Sequence, residues 1–406
     1  MKIRLLLLSA VLLGGCSSNA NLPEPTPLVP LESPYSLHKN WEVSLSALPN
    51  LDARGLAFAE DEQAVYIANS DGHVIALHKE NRSRWTDQVE WQTRFDDHVV
   101  SGPTLFGDEL LIGTSKGLLK SLSKETGALL WQRQLSSEVI SRPIVSGGKI
   151  YTRTVDGKLY ALNLEDGSVI WVNENQVPKL SLRGSPDLLV VEDYVFAAWE
   201  SGVVQALSAI TGELLWETRV ASPKGRTDLE RMIDIQANLV LKDNRLYALG
   251  FHGKLAAINP MNGEFFFVKN LSGYRDFVAD DKALYAVDDE GVMQAFDLMT
   301  GAPLWKQAAF KQRLVGDLHL YGDQLLLSDG WGYLHWVNKL QGIEYARAKH
   351  SNEYGEGERI LKVMVDGKRL YVFDGDGLVT SYNVVPSELS RFHSELAGNK
   401  QKAETE

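Results

Sequence analysis

Asp156-Gly157-Lys158-Leu159-Tyr160-Ala161-Leu162, followed by Asp166-Gly167 and then by Trp171, is the clearest copy of a pattern that recurs through this 406-residue chain. The pattern is a glycine, a few strand-forming residues, an Ala-Leu-like pair, a second glycine, and an aromatic residue four positions later. Its first glycine recurs every 38 to 51 residues, at Gly72, Gly117, Gly157, Gly202, Gly253, Gly291, Gly332 and Gly377. A period of this length is typical of propellers and solenoids.

The aromatic position of the repeat indicates that the ring is closed. It is filled in six copies, by Trp91, Trp131, Trp171, Trp216, Phe267 and Trp305, and by Ala346 in a seventh, degenerate copy. No aromatic copy follows Gly377, whereas an unmatched copy stands at the front of the chain, in Trp41-Glu42-Val43-Ser44-Leu45. We therefore expect the first strand to complete the last blade, which hides the edges that an open stack would expose.

Each repeat also contains four short runs that read as strands. Val, Ile, Tyr and Trp dominate the runs within residues 142–173, and Gly-Gly, Asp-Gly and Glu-Asp-Gly separate them. Glycine and aspartate tolerate the positive φ of tight hairpin turns, and β-branched and aromatic residues suit a pleated, half-buried surface. The prediction is an all-β, eight-bladed β-propeller with four antiparallel strands per blade, over residues 40–385, and with tryptophans that pack blade on blade.

The N-terminus has the pattern of a bacterial lipoprotein signal. Lys2 and Arg4 precede a short apolar segment that ends in Leu13-Gly14-Gly15-Cys16. That segment is too short to span a membrane. We expect residues 1–15 to be removed and Cys16 to be acylated; the alternative is an ordinary secretory signal with a chance cysteine. Ser17 and Ser18 replace the acidic residue that commonly retains lipoproteins at the inner membrane, so the expected location is the outer membrane, with the domain facing the periplasm.

The segments on either side of the propeller are polar or proline-rich. Five prolines between residues 16 and 39 predict an extended tether. Residues 386–406 are polar and of mixed charge, which predicts a disordered tail. The formal net charge of the chain is −12. Nucleic acid is therefore not an expected partner of the domain.

No pattern in the sequence predicts catalysis, a cofactor or a metal site. Sequences of the His-Glu-x-x-His, P-loop and Gly-x-Ser-x-Gly types are absent. His252 and His335 fall inside repeats, where we expect blade or turn residues rather than ligands. The string Ala206-Leu207…Thr211-Gly212…Trp216 resembles the repeats of quinone-dependent dehydrogenases. This keeps a quinone- or ligand-binding propeller as the alternative, although a fold alone does not confer function.

Two connections between repeats are longer than most. They run from Trp171 to Gly202 and from Trp216 to Gly253, and since successive blades are neighbours, we expect them side by side on one rim. Leu180 and Leu182 would form a short apolar ridge, or else pack beneath the rim. Arg183 could pair with Asp234 of the second connection. Apolar residues and an arginine on loops of a rigid scaffold are typical of a protein-binding patch.

Several strings together resemble the BamB family, the lipoprotein subunits of the outer-membrane β-barrel assembly machinery. They are the lipoprotein signal, the eight repeats, Lys179-Leu-Ser-Leu-Arg-Gly-Ser185 and Thr227-Asp-Leu-Glu-Arg-Met-Ile-Asp234. The resemblance implies a non-catalytic scaffold that binds the POTRA domains of BamA and through it the other lipoproteins of the machinery. The residues implied to bind BamA are Leu180, Leu182, Arg183 and Asp234, with Gln236 where the family has a second acidic residue. Unfolded outer-membrane proteins are expected as further partners, because exposed strand edges can accept an extended chain with unpaired backbone groups.

Overall fold

Eight four-stranded antiparallel sheets make up the described part of the chain, and each sheet is one blade of a ring. The computed structural model describes residues 24–45, 56–82, 85–178, 186–223, 226–227, 232–350 and 359–388. In chain order, blades 1 to 4 consist of β2 (Phe58–Glu60), β3 (Ala64–Ala68), β4 (His73–His78) and β5 (Val89–Arg94); β6 (Val99–Phe106), β7 (Glu109–Thr114), β8 (Leu118–Ser123) and β9 (Leu129–Gln134); β10 (Ile144–Ser146), β11 (Lys149–Arg153), β12 (Lys158–Asn163) and β13 (Val169–Glu174); β14 (Leu189–Val191), β15 (Tyr194–Ala198), β16 (Val203–Ser208) and β17 (Leu214–Arg219).

The second half of the ring repeats this plan and then closes it. Blades 5 to 8 consist of β18 (Val240–Lys242), β19 (Arg245–Leu249), β20 (Leu255–Ile258) and β21 (Phe265–Lys269); β22 (Val278–Ala279), β23 (Ala283–Val287), β24 (Met293–Asp297) and β25 (Pro303–Gln307); β26 (His319–Tyr321), β27 (Gln324–Ser328), β28 (Tyr333–Asn338) and β29 (Glu344–Lys349); β30 (Ile360–Asp366), β31 (Arg369–Asp374), β32 (Leu378–Pro386) and β1 (Tyr35–Ser44). A single four-residue helix, α1 (Trp85–Gln88), precedes β5 in the described residues. It is far too short to cross a membrane.

The predicted closure of the ring is confirmed. The first strand, β1, pairs antiparallel with β32, from Tyr35 opposite Pro386 to Ser44 opposite Leu378. The last blade is thereby completed by the N-terminal strand, as the spare repeat copy at the front of the sequence predicts. The eight blades and their four antiparallel strands are confirmed as well.

Tryptophans on the outer strands join most blades to the next, as predicted. The indole N–H of Trp171 donates to the Ala209 carbonyl of the following blade at 3.3 Å, and that of Trp216 donates to the Pro260 carbonyl at 2.9 Å. Gly212 lies against the Trp171 ring with φ of +75°, and a Cβ atom there would lie 2.5 Å from the ring. The second glycine of the repeat is thus required by both its backbone conformation and the close approach of the indole.

Blade 7 replaces this contact by exchanging two side chains between neighbouring strands. In blade 3, Ala161 of the third strand lies opposite Trp171 of the fourth, whereas in blade 7 Trp336 of β28 lies opposite Ala346 of β29. Trp336 is fully buried, and its ring centroid lies 5.6 Å from that of Tyr35 at the start of β1. The seventh copy is therefore not simply degenerate, because the aromatic volume is conserved one strand further in.

The ring has two rims of different character. Connections between blades lie on one rim, together with the turns between the second and third strands of each blade, and we call it the long-connection rim. This grouping is visible in backbone bonds such as Val220 N to Gly202 O at 2.9 Å, which join the end of an outer strand to such a turn. The opposite rim carries the other turns of each blade.

Candidate functional site

The two long connections meet on the long-connection rim, as predicted. The first runs from β13 to β14 and the second from β17 to β18. The Asp187 amide at the end of the first donates to Asn238 Oδ1 at the end of the second, at 2.6 Å. At its start, the second connection bonds to the turn of blade 4, through Ala221 N to Gly202 O at 3.1 Å. The junction of blades 4 and 5 is thus where both connections are attached.

The sequence-predicted residues are divided between the described and the undescribed parts of this junction. Leu180, Leu182 and Arg183 lie outside the described residues, and so does Cys16. Asp234 and Gln236 lie within them.

Asp234 and Gln236 lie beneath the rim rather than on its surface. Asp234 is fully buried and Gln236 is 8% exposed, and Gln236 Nε2 donates to Asp234 Oδ2 at 3.0 Å. The Asp234 backbone forms a bridge to Phe251 of blade 5, with Phe251 N bonded to Asp234 O at 2.7 Å. Ile233 and Ile235, which alternate with them, are buried in the protein. The second connection is therefore fixed to both blades at this point, and Asp234 is placed to position it.

A buried ion pair lies on the same rim between blades 3 and 4. The guanidinium of Arg153 donates from Nη2 to Glu200 Oε1 and Oε2 at 3.0 and 2.9 Å, and from Nη1 to Ala198 O at 2.7 Å. Its Cζ atom lies 3.8 Å from the centroid of the Trp199 ring. Arg153 and Trp199 are fully buried, and Glu200 is 3% exposed. The cluster thus joins blade 3 to blade 4. Removing either charge of such a pair is strongly destabilising, because the other charge is left buried without a partner.

The sequence carried a signal for this cluster that the repeat pattern alone did not reveal. The first residue of the turn between the second and third strands is polar in most blades, and its side chain accepts backbone N–H groups. Asp288 Oδ1, for example, accepts from Glu290 N at 3.1 Å and Val292 N at 2.8 Å. Blade 4 has Trp199 at this turn position, and blade 5 has Gly250. Both departures from the repeat occur in the two blades whose long connections meet.

A second polar cluster surrounds the central channel. Its residues lie just before or at the start of the inner strand of each blade. A backbone amide of one blade donates to a side chain of the next, as in Asn238 N to Asp276 Oδ1 at 2.7 Å and Asp276 N to Asp317 Oδ1 at 3.1 Å. The ends of this chain of contacts are ion pairs, Arg142 with Asp187 at 2.8 Å and Lys362 with Asp317 at 3.5 Å. The polar groups of the channel are thus largely occupied by one another.

The pKa values of two channel carboxyl groups are shifted in opposite directions. Burial, with repulsion from Asp317, raises the pKa of Asp276 to about 7. Burial also opposes ionisation of Asp317, but the nearby charges of Lys362 and Arg275 hold the pKa of that carboxyl below its usual range. Within the described ranges, no group of three or more His, Cys, Asp or Glu residues is arranged to hold a metal ion.

Comparison with known proteins identifies relatives over most of the chain. Residues 70–307 match the family model described as outer membrane protein assembly factor BamB. The protein of that name from Legionella pneumophila is 35% identical over 393 residues, which cover 95% of this chain and all of the relative.

Solved structures agree with this comparison. The crystal structure of BamB from Moraxella catarrhalis superposes with a TM-score of 0.75 at 26% identity, covering 86% of this chain and 99% of that one. The quinohemoprotein alcohol dehydrogenase from Comamonas testosteroni superposes with a TM-score of 0.65 at 14% identity, covering 86% of this chain and 76% of that one. That second likeness concerns the fold alone.

Proposed function

The chain belongs to the family of the outer membrane protein assembly factor BamB, and from this premise we propose that it is a non-catalytic scaffold subunit of the outer-membrane protein assembly complex. Its mechanism is binding: the long-connection rim at blades 4 and 5 docks on the POTRA domains of BamA, and so assists the folding and insertion of β-barrel proteins. Acylated Cys16 anchors the protein to the outer membrane, with the propeller in the periplasm.

One observation carries the proposal for this rim. The two connections that depart most from the repeat are bonded to each other through Asp187 and Asn238, and a buried Arg153–Glu200 pair lies on the same rim beside them. Loops held on a rigid scaffold present their side chains with little loss of conformational entropy on binding. Leu180, Leu182 and Arg183 are the proposed contact residues, and Asp234 and Gln236 position the second connection from beneath.

An affinity pull-down from solubilised envelopes tests the docking. We expect BamA and its partner lipoproteins to copurify with the wild-type protein and to be depleted with Arg183→Glu. Lys368→Glu, which makes the same change of charge on the opposite rim, is the matched control and should behave as wild type. Copurification that is unchanged in Arg183→Glu would show that the assignment of the site is wrong.

Clients are proposed to contact the outer edges of the blades. The outer strands begin with exposed apolar pairs, which are Leu129 and Leu130, Val169 and Ile170, Leu214 and Leu215, and Phe265 and Phe266. Unpaired strand edges flanked by apolar side chains suit an extended chain that adds as a further strand. Photo-crosslinkers at these pairs should capture unfolded outer-membrane proteins; crosslinkers at the exposed Asp376 turn are the control, and equal capture at both would argue against edge binding.

The alternative function is a quinone- or ligand-binding propeller. The observation that keeps it in view is the channel, which is lined by ionisable groups, among them Asp276 and Asp317. An absorbance spectrum and the metal content of the purified protein separate the two proposals. Stoichiometric quinone and calcium would favour the alternative.

A further inference from the structure

Residues 24–34, which we call the strap, are bonded to blade 7 although they form no strand themselves. At one end of the strap, Thr26 N donates to Lys311 O at 3.1 Å, and Arg313 Nη1 donates to Thr26 O at 2.9 Å. Both backbone groups of Thr26 are therefore paired with the connection that leads into blade 7.

The other half of the strap lies along β29, the outer strand of blade 7. Arg347 Nη1 donates to Val29 O at 3.1 Å, and the Arg347 amide donates to Ser33 Oγ at 3.1 Å. The strap thus forms hydrogen bonds with β29, an edge strand that would otherwise be open to pairing with another chain.

One buried and one partly buried carboxylate bind the two arginines that contact the strap. Arg313 donates from Nε and Nη2 to Asp329 Oδ2 at 2.9 and 2.6 Å. Arg347 donates from Nε to Glu344 Oε1 at 2.9 Å. Each guanidinium is oriented by its carboxylate and uses a remaining N–H group on a strap carbonyl, which is the fixed fork geometry that arginine provides.

His335 joins the two ion pairs into one network. Its Nε2 lies 3.2 Å from Asp329 Oδ2 and its Nδ1 lies 2.6 Å from Glu344 Oε1. The ring thus has a carboxylate oxygen within hydrogen-bond distance of each of its two nitrogens. Burial opposes ionisation, but His335 holds the pKa of both Asp329 and Glu344 below the usual range, assisted by Arg313 and Arg347 respectively.

The two ends of the strap lie at opposite rims. Lys311 and Arg313 belong to a connection between blades and therefore to the long-connection rim. Tyr35, where β1 begins directly after the strap, lies opposite Pro386 at the end of β32, which is the other rim. The strap therefore crosses the full height of blade 7 and moves the point at which the N-terminal chain leaves the propeller from one rim to the other.

The route of the strap limits how far the propeller can lie from the acylated Cys16. Thr26 is ten residues from Cys16, a span of about 35 Å when fully extended, whereas Tyr35 is nineteen residues from Cys16, a span of about 65 Å. Bonding of the strap to blade 7 thus reduces the reach of the anchor by roughly half.

We propose that the strap and the Arg313–Asp329–His335–Glu344–Arg347 network fix the exit of the lipid-anchored chain, so that the long-connection rim of the propeller faces the bilayer surface. This rests on the acylation of Cys16 under the proposed function. The partner is a lipid surface, and the orientation places the junction of blades 4 and 5 on the membrane side of the propeller.

Energy transfer to labelled lipids measures this orientation. Cys16 is the only cysteine of the chain, so a single introduced thiol can be labelled once Cys16 is acylated. Asp376 and Lys368 are exposed residues of blade 8 on the long-connection rim and the opposite rim. For the acylated protein on phosphatidylethanolamine–phosphatidylglycerol vesicles with an acceptor lipid, we expect at least twofold greater transfer from a dye at Asp376→Cys than at Lys368→Cys. Equal transfer, or the reverse order, would overturn the proposal.

Variants of the strap separate its role from that of the anchor. Thr26→Pro removes the N–H group that bonds to Lys311 O and keeps the extended backbone, and Arg347→Ala removes the bond to Val29 O. Together they remove two of the four bonds described above and should at least halve the difference between the two dyes, without releasing the protein from vesicles. Arg219→Ala is the matched control, since this exposed guanidinium bonds to a carbonyl, Ser201 O, on the same rim of blade 4. A difference between the two dyes that is as large in the double variant as in the wild type would refute the role of the strap.

Hydrogen exchange of the acyl-free protein supplies a readout that needs no membrane. The Thr26 amide should exchange slowly in the wild type and at least tenfold faster in Arg347→Ala, whereas the Val220 amide of blade 4 should be unaffected. Exchange of Thr26 at the rate of an unprotected amide in the wild type would show that the strap is not bound. Failure of the wild type to bind vesicles would instead exclude acylation at Cys16, and the orientation with it, while leaving binding to BamA to its own test.

Discussion

Blade 7 and the junction of blades 3 and 4 both depart from the repeat by burying arginines, and they do so in different ways. At the junction, Arg153 meets one carboxylate, Glu200, and stacks on Trp199. In blade 7, Arg313 meets Asp329, which also accepts from His335 and from the backbone amides of Trp331 and Tyr333. Within the described ranges, the first cluster contains one ion pair, Arg153 with Glu200, whereas the Asp329 carboxylate of the second has several donors.

The difference shows what a departure from a repeat can mean. The arginines of the blade 7 network bind a segment of the same chain, the strap. The Arg153 cluster lies beside a connection whose central residues are proposed to bind another protein. In blade 7, side chains that depart from the repeat bind another segment of the chain, whereas at the junction they join two blades beside the proposed binding loop.

Replacing one arginine in each cluster should give the largest difference in stability between the two. Arg153→Ala leaves Glu200 buried without its cation, which costs about 3–5 kcal/mol in the free energy of unfolding. Arg313→Ala should cost less, about 1–3 kcal/mol, because Asp329 keeps its other donors. Urea unfolding of both variants measures the difference, and equal losses would mean that the number of donors at the carboxylate does not matter.

The exchange of Trp336 and Ala346 in blade 7 should give the next largest effect on stability. Trp336→Ala removes a fully buried indole and should cost about 3–5 kcal/mol. Adding Ala346→Trp restores the arrangement of the regular blades and should recover part of that loss, since the two residues lie opposite each other. Thermal unfolding of the single and double variants is the measurement. A double variant no more stable than Trp336→Ala would show that blade 7 is adapted to its own packing, including Tyr35.

The channel should respond to pH with a defined sign. The folded-state pKa of Asp276 is raised to about 7, so the protein takes up a proton there on folding and loses stability as pH rises from about 4 to 7. Asp276→Asn removes this dependence and should stabilise the protein by on the order of 1–2 kcal/mol at pH 8, but not at pH 4.

Asp317→Asn is the control of opposite sign, because the pKa of Asp317 is lowered. It should destabilise the protein at neutral pH, and the loss should disappear as pH falls below the folded-state pKa. Unfolding free energies at several pH values for both variants test the pair. Parallel pH profiles would contradict the opposite shifts of the two carboxyl groups.

The indole hydrogen bond between blades gives the smallest effect. Trp171→Phe keeps the ring contact with Gly212 and removes the bond to Ala209 O, at a cost of about 1 kcal/mol. Among the described residues, Trp131 Nε1 has no hydrogen-bond partner, so Trp131→Phe should cost about half as much or less. Chemical unfolding of both compares them directly, and equal costs would assign the contribution of these tryptophans to packing alone.

The fold could be predicted from the sequence because the same pattern of glycines, strand-forming residues and aromatic residues recurs in each blade. The glycines mark the turns, the tryptophans mark the joints between blades, and the spare copy at Trp41 predicts the closing strand. The exchange of Trp336 and Ala346 was missed, since a linear pattern does not show which residues lie opposite each other across strands.

Loop length indicated that the two connections are neighbours, which the bond between Asp187 and Asn238 confirms, but not that Asp234 is buried. That burial accompanies a backbone bridge to Phe251. Nor did loop length point to Arg153 and Glu200, which are 47 residues apart and meet only when blades 3 and 4 pack. The route of the strap was likewise not predicted, because prolines indicate an extended segment but not the surface along which it lies.

Direct binding of the purified mature domain to the soluble POTRA domains of BamA tests the central claim, that the long-connection rim at blades 4 and 5 is the docking site. Calorimetric titration should give at least tenfold weaker affinity for Arg183→Glu than for the wild type, with Lys368→Glu unchanged. Wild-type affinity for a folded Arg183→Glu variant, or equal weakening by Lys368→Glu, would contradict the claim.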